Sequence, residues 1–99
     1  MHKTEVIEIL KRYKELLSKY MNFESLILFG SRTKDAARED SDIDVAVVVN
    51  EVSGDYFETR PILWKISREV DDRIEPLMLE KKHDASGFLE EVLRSGIVI

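Results

Sequence analysis

An α+β fold of the α/β type, with one small mixed sheet of three or four strands packed by helices, is what this 99-residue chain predicts. Three observations carry that expectation. Apolar residues recur at steps of three and four in three separate segments, the signature of amphipathic helices. Between them lie short apolar runs rich in β-branched residues, which read as buried strands. Gly, Pro and Asp/Asn clusters punctuate the change from one pattern to the other. The predicted order is α-β-α-β-α-β-α, the second helix being short. A second core usually appears only well beyond ~150 residues, so residues 1–99 are expected to form a single domain.

From Thr4 to Tyr20, Val6, Ile9, Leu10, Tyr13, Leu16, Leu17 and Tyr20 mark one helical face, with Thr4 as a candidate N-cap. Leu26-Ile27-Leu28-Phe29 is a buried strand that stops at the turn Gly30-Ser31. Residues 32–41 carry no large apolar side chain and read as a short surface helix or loop. Ile43-Asp44-Val45-Ala46-Val47-Val48-Val49 is too continuously apolar for a half-exposed strand and is predicted to be central. Asn50 to Gly54 form a loop. A helix then begins between Asp55 and Pro61, because Asp55 with Glu58 resembles a capping box and Pro61 is expected only in a first turn. Its apolar face is Ile62, Leu63, Ile66 and Val70. Arg73 to Leu79 is a third strand, at an edge because of Pro76. Asp84 caps a last helix with Phe88, Leu89, Val92 and Leu93, ended by Gly96.

Composition removes several function classes. With 43% hydrophobic and 35% charged residues the chain can build a core, so a disordered segment is not expected. Cysteine is absent, which excludes disulfides, thiolate metal ligands and a cysteine nucleophile. The formal net charge of -5 argues against direct nucleic-acid binding, which needs many cations to displace counterions. No apolar run reaches the ~20 residues of a membrane span, and the charged, helix-patterned N-terminus is unlike a signal peptide, so the chain is expected to be cytoplasmic. His83 lies in the polar run Lys81-Lys82-His83-Asp84 and reads as a loop residue.

The chemistry concentrates between Gly30 and Asp44. Alternate strand residues share a face and lie about 6.6 Å apart along it, so Asp42 and Asp44 can converge on one point. Two such anions repel unless a cation lies between them, and the natural occupant is a hard divalent ion, Mg²⁺ above all. The bland alternative is that Asp40, Ser41 and Asp42 form a solvated turn and Asp44 caps the strand. Gly30-Ser31 at a strand end supplies a tight turn, close backbone approach, oriented N–H groups and a hydroxyl, the parts of a phosphate cradle. An anion site beside a metal site is what a metal-bound nucleoside triphosphate needs.

The stretch LFGSRTKDAAREDSDIDVAVVV resembles the nucleotidyltransferase family related to DNA polymerase beta, whose signature is G-S followed after roughly ten residues by D-x-D. Ser31, ten residues, then Asp42 and Asp44 match that spacing, and the short chain points to the minimal nucleotidyltransferases. The resemblance implies ATP as substrate with one or two Mg²⁺ ions, Asp42 and Asp44 as catalytic metal ligands, and Gly30, Ser31 and Arg32 as nucleotide-binding residues. It implies a partner as well: a helical HEPN-domain toxin, a tyrosine of which receives AMP, so that the chain acts as antitoxin. Family members carry a third carboxylate on a later strand. Here that is Glu75, with Asp72 in the charged run before the strand as its competitor, although aspartate is commoner at this position. Lys34 stands where many relatives have a second Arg.

Two other readings remain open at this stage. D-x-D also marks phosphohydrolases and sugar-nucleotide glycosyltransferases, but there the apolar strand runs into the acids, and here it follows them. A non-catalytic binding module that neutralises its partner by steric blockade is the more serious alternative. A homo-oligomer is left open.

Overall fold

The computed structural model describes residues 3–30, 42–51 and 56–99, with backbone alone at 56–58. Its first helix, α1 (Lys3–Leu17), forms because Val6, Leu10, Tyr13 and Leu17 fall on one stripe and are all buried. It stops a turn before Tyr20. The N–H groups of Lys19 and Tyr20 donate to the carbonyls of Leu16 and Leu17, three residues back, at 3.2 and 2.9 Å, which tightens and ends the helix. Tyr20 is consequently exposed rather than part of the apolar face.

Strands β1 (Ser25–Phe29), β2 (Ile43–Val49), β3 (Ile74–Glu80) and β4 (Ile97–Val98) form one sheet in the order β3-β2-β1-β4. β1 runs antiparallel to both β2 and β4, whereas β2 and β3 are parallel, so the sheet is mixed. The parallel pair is joined over α2 (Tyr56–Val70), as a crossover requires. The expectation of a central β2 holds, and its cause is visible. Ile43, Val45, Val47 and Val49 pack with residues of α1 and α2, while Ala46 and Val48 on the other face pack with Leu89 and Val92 of α3 (Phe88–Ser95). A strand buried on both faces has no polar side to alternate with.

β3 is an edge strand, as Pro76 predicted, but starts one residue later than expected. Arg73 is instead locked in the preceding turn, its Nε and Nη2 donating to the Asp71 carboxylate at 2.9 and 2.6 Å. Pro61 is the sixth residue of α2 and not in its first turn. Lacking an N–H, it leaves the Phe57 carbonyl without a helical donor. Between α1 and α2 the Tyr13 hydroxyl donates to the Leu63 carbonyl at 2.9 Å, and burial pushes its phenol well above the ordinary value, so it stays a donor.

The N-cap of α3 is Gly87 rather than Asp84, because the helix begins three residues later than expected; the Asp84 carboxylate still accepts from the N–H groups of Leu89 and Glu90 at 2.9 and 3.1 Å. Only Leu89 and Val92 of the expected face are buried in this eight-residue helix. Phe88 and Leu93 flank that face and are exposed, Phe88 meeting Phe29 edge-on at 5.8 Å.

Gly96 ends α3 and turns the chain into β4, too short a strand to carry a periodic signal. A Cβ there would lie 2.6 Å from the Val92 carbonyl oxygen and 2.8 Å from that of Leu28. Both obstacles are backbone and cannot swing aside. Gly96→Ala is therefore expected to displace β4 from β1 and cost about 1–3 kcal/mol, seen as a fall in thermal midpoint by circular dichroism. An unchanged midpoint would mean β4 gives way freely. Among the described residues no helix is long and apolar enough to cross a membrane.

Candidate active site

Three ends meet at one end of the sheet: the C-terminus of β1, the N-terminus of β2 and the N-terminus of β3. Register sets which side chains stand together. Phe29 of β1 pairs with Asp44 of β2, and Asp44 pairs in turn with Glu75 of β3. Paired residues of neighbouring strands lie about 4.8 Å apart and share a face, so Asp44 and Glu75 stand side by side. Asp42 lies just before β2, near enough for its charge to act on Asp44. The Ile43 N–H donates to the Arg73 carbonyl at 2.7 Å, which pins the two strand starts to each other. Asp72, the competing third acid, lies exposed in the turn before β3 and out of this register.

The acids differ in environment. Asp42 is exposed, Asp44 half-buried. Burial first, and then the negative charge of Asp42, raises the Asp44 carboxyl above its ordinary value. Glu75 meets a cation from α2: Arg68 Nη2 lies 3.8 Å from its Oε1. The same guanidinium sits 4.9 Å over the Trp64 ring, and its Nη1 donates to the Asp72 carbonyl. Sequence reasoning assigned Arg68 no role. The available signal was the four-residue spacing of Trp64 and Arg68, which puts them on one helical face.

Gly30 is placed by geometry that no other residue supplies. Its φ of +78° lies in the left-handed region, and a Cβ on it would come within 2.6 Å of Asp44 Oδ2. Gly30 thus lies directly against the Asp44 carboxylate. Gly30→Ala is expected to force that carboxylate to move and to strain the backbone, and to weaken by at least about ten-fold the metal-dependent nucleotide binding that the sequence resemblance implies. Calorimetry on the folded variant checks this, and wild-type affinity would show that the close approach is incidental. Ser31, Arg32 and Lys34, and with them the rest of the expected phosphate cradle, lie outside the described residues, as do Asp40 and Ser41.

The donor set suits a hard divalent cation. Asp42, just before β2, and Asp44, within it, offer carboxylate oxygens, and the Asp44 carboxyl is raised first by burial and then by the charge of Asp42. Among the described residues no three acidic or imidazole side chains already stand as a closed ligand set. Mg²⁺ does not need one, since it is commonly held by one or two carboxylates with water and substrate phosphates completing the shell.

The family model described as "Polymerase beta, Nucleotidyltransferase" matches residues 11–99, nearly the whole chain. The chain belongs to that nucleotidyltransferase family. A candidate protein adenylyltransferase of Methanocaldococcus jannaschii is 32% identical over 100 residues, covering 96% of this chain and 99% of the relative. A second candidate protein adenylyltransferase of the same organism is 32% identical over 66 residues, 67% of this chain and 60% of its own length. The crystal structure of a candidate nucleotidyltransferase from Sulfolobus solfataricus superposes with a TM-score of 0.67 at 20% identity, over 97% of this chain and 80% of that one. The α+β fold of this nucleotidyltransferase is thus a shared one, and the acids and Gly30 occupy one end of its sheet.

Proposed function

We propose that this nucleotidyltransferase transfers AMP from ATP, with one or two Mg²⁺ ions, to a hydroxyl of a protein acceptor, a tyrosine of a HEPN-type toxin being the acceptor the sequence resemblance implies. The observation that most supports this reading is the register pair of Asp44 and Glu75, with Asp42 just before β2 and Gly30 against Asp44. The name of the relative that matches end to end supports a protein acceptor. The reading puts the activity in the cytoplasm, with the chain acting as antitoxin.

Asp42 and Asp44 would hold the metal beside Gly30, and Glu75 would complete the site on the side of β3. The ion, when bound, supplies positive charge that offsets the phosphate oxygens and favours in-line displacement. The acceptor oxygen forms a bond to the α-phosphorus, the bond from that phosphorus to the bridging oxygen breaks, and pyrophosphate leaves. Glu75, near the attacking hydroxyl in this reading, would help to take its proton. Gly30, with Ser31 and Arg32 beyond it, would receive the outer phosphates. A small sheet with little surface for orienting an acceptor leaves that positioning to the acceptor itself, and positioning is a large part of such catalysis.

Incubation with α-labelled ATP and Mg²⁺ tests the reading. The chain alone should transfer label slowly, whereas a co-purified acceptor protein should be labelled on tyrosine, and labelling should vanish in the Asp42→Asn/Asp44→Asn variant. If that variant still neutralises the partner in cells and no label ever transfers, steric blockade is the function.

A further inference from the structure

The Arg68 guanidinium is held from three directions by groups on two adjacent elements. It stacks at 4.9 Å over Trp64, one turn earlier on α2, and Trp64 is itself packed against the main core. It donates to the carbonyl of Asp72 in the turn before β3. Its remaining reach is towards Glu75 Oε1, at 3.8 Å. Two of these three contacts do not involve Glu75, so the positive charge stays beside that carboxylate whatever the carboxylate does. Both partners of the ion pair are partly exposed, which makes it weak and readily exchanged.

We infer that Arg68 is a positioning residue that competes with divalent metal for Glu75, holding this carboxylate as an internal counter-cation until a metal ion draws it towards Asp44. The inference rests on the reading of Glu75 as the third acid. Two effects act in the same direction. Glu75 must leave the guanidinium before it can ligate, and a fixed positive charge near the site opposes the approach of a second, divalent one. Arg68 therefore raises the metal concentration at which Glu75 joins the site, without touching nucleotide or acceptor itself.

Mn²⁺ titration followed by electron paramagnetic resonance reads this directly, on the whole protein with and without a non-hydrolysable ATP analogue. Arg68→Ala should tighten Mn²⁺ binding by about three- to ten-fold. Arg68→Lys, which keeps charge but loses the planar stack, should fall between the two. In a Glu75→Gln background the gain should shrink, because the competition for Glu75 is gone and only the repulsion between Arg68 and the ion remains. In transfer assays Arg68→Ala should move the Mg²⁺ activation curve to lower concentration with the KM for ATP unchanged. Weaker or unaltered Mn²⁺ binding in Arg68→Ala, no Mn²⁺ binding by either protein, or an undiminished gain in the Glu75→Gln background overturns the inference. The parent reading fails separately: if no analogue binds while Mn²⁺ still binds more tightly to Arg68→Ala, nucleotide transfer is wrong and the competition stands.

Discussion

Asp42→Asn combined with Asp44→Asn is expected to abolish Mg²⁺-dependent ATP binding, a loss on the order of 100-fold or more, because it removes both oxygen donors at the start of β2. The same variant should be no less stable than the wild type at neutral pH. The sign follows from Asp44, whose carboxyl is raised by burial and then by Asp42. A raised carboxyl takes up its proton more readily in the folded than in the unfolded chain, so its ionised form costs stability above the folded-state value. Wild-type stability should therefore recover relative to the variant as pH falls through that raised value towards the ordinary carboxylate range near ~4. Calorimetry with Mg-ATP and urea melts across that window measure both effects. Equal nucleotide binding by the two proteins would remove these aspartates from the site.

Glu75→Gln should lower transfer by about 10²–10³-fold while leaving affinity for Mg-ATP within about three-fold of wild type. The separation is expected because Glu75 stands on β3, across the strand pair from Asp44, and in the proposed mechanism it is Asp42 and Asp44 that hold the metal-bound nucleotide. Asp72→Asn should change neither quantity by more than about two-fold, since its side chain lies in the turn and only its carbonyl takes part, as acceptor for Arg68. Steady-state kinetics on the three proteins ranks them. A large loss in Asp72→Asn with a silent Glu75→Gln would mean that the acceptor arrives from the turn, not across the sheet.

A spacing of two residues is a local property, and for that reason the closeness of Asp42 and Asp44 was legible in the sequence. The same holds for the close backbone approach at Gly30 and for the edge position that Pro76 announces. Glu75 could be singled out as a carboxylate among apolar strand residues, but that it pairs with Asp44 depends on the register between two strands. That register is set by α2 packing and by the Ile43 hydrogen bond to Arg73, neither of which a linear pattern encodes. Two-residue β4 carries too little periodicity to register, and its pairing with β1 is fixed by tertiary contact. The exposure of Tyr20, Phe88 and Leu93 was missed because helical periodicity says which residues align, not how wide a stripe the neighbouring sheet covers. Arg68 escaped because a cation four residues after a tryptophan is common on any helix surface.

The side-by-side placement of Asp44 and Glu75 also bears on how the chain folds. β2 and β3 are parallel neighbours joined through the whole of α2, so their pairing is a non-local closure of the kind that slows folding. A ligand gripped by both strands has no counterpart in the unfolded chain, so it acts as a removable cross-link on the sheet edge. Its grip adds RT ln(1 + [L]/Kd) to the free energy of unfolding, about 2.7 kcal/mol at a hundred-fold excess over Kd. Occupancy should accordingly slow local opening at β3, and amide hydrogen exchange along Ile74–Glu80 becomes a gauge of whether the site is filled.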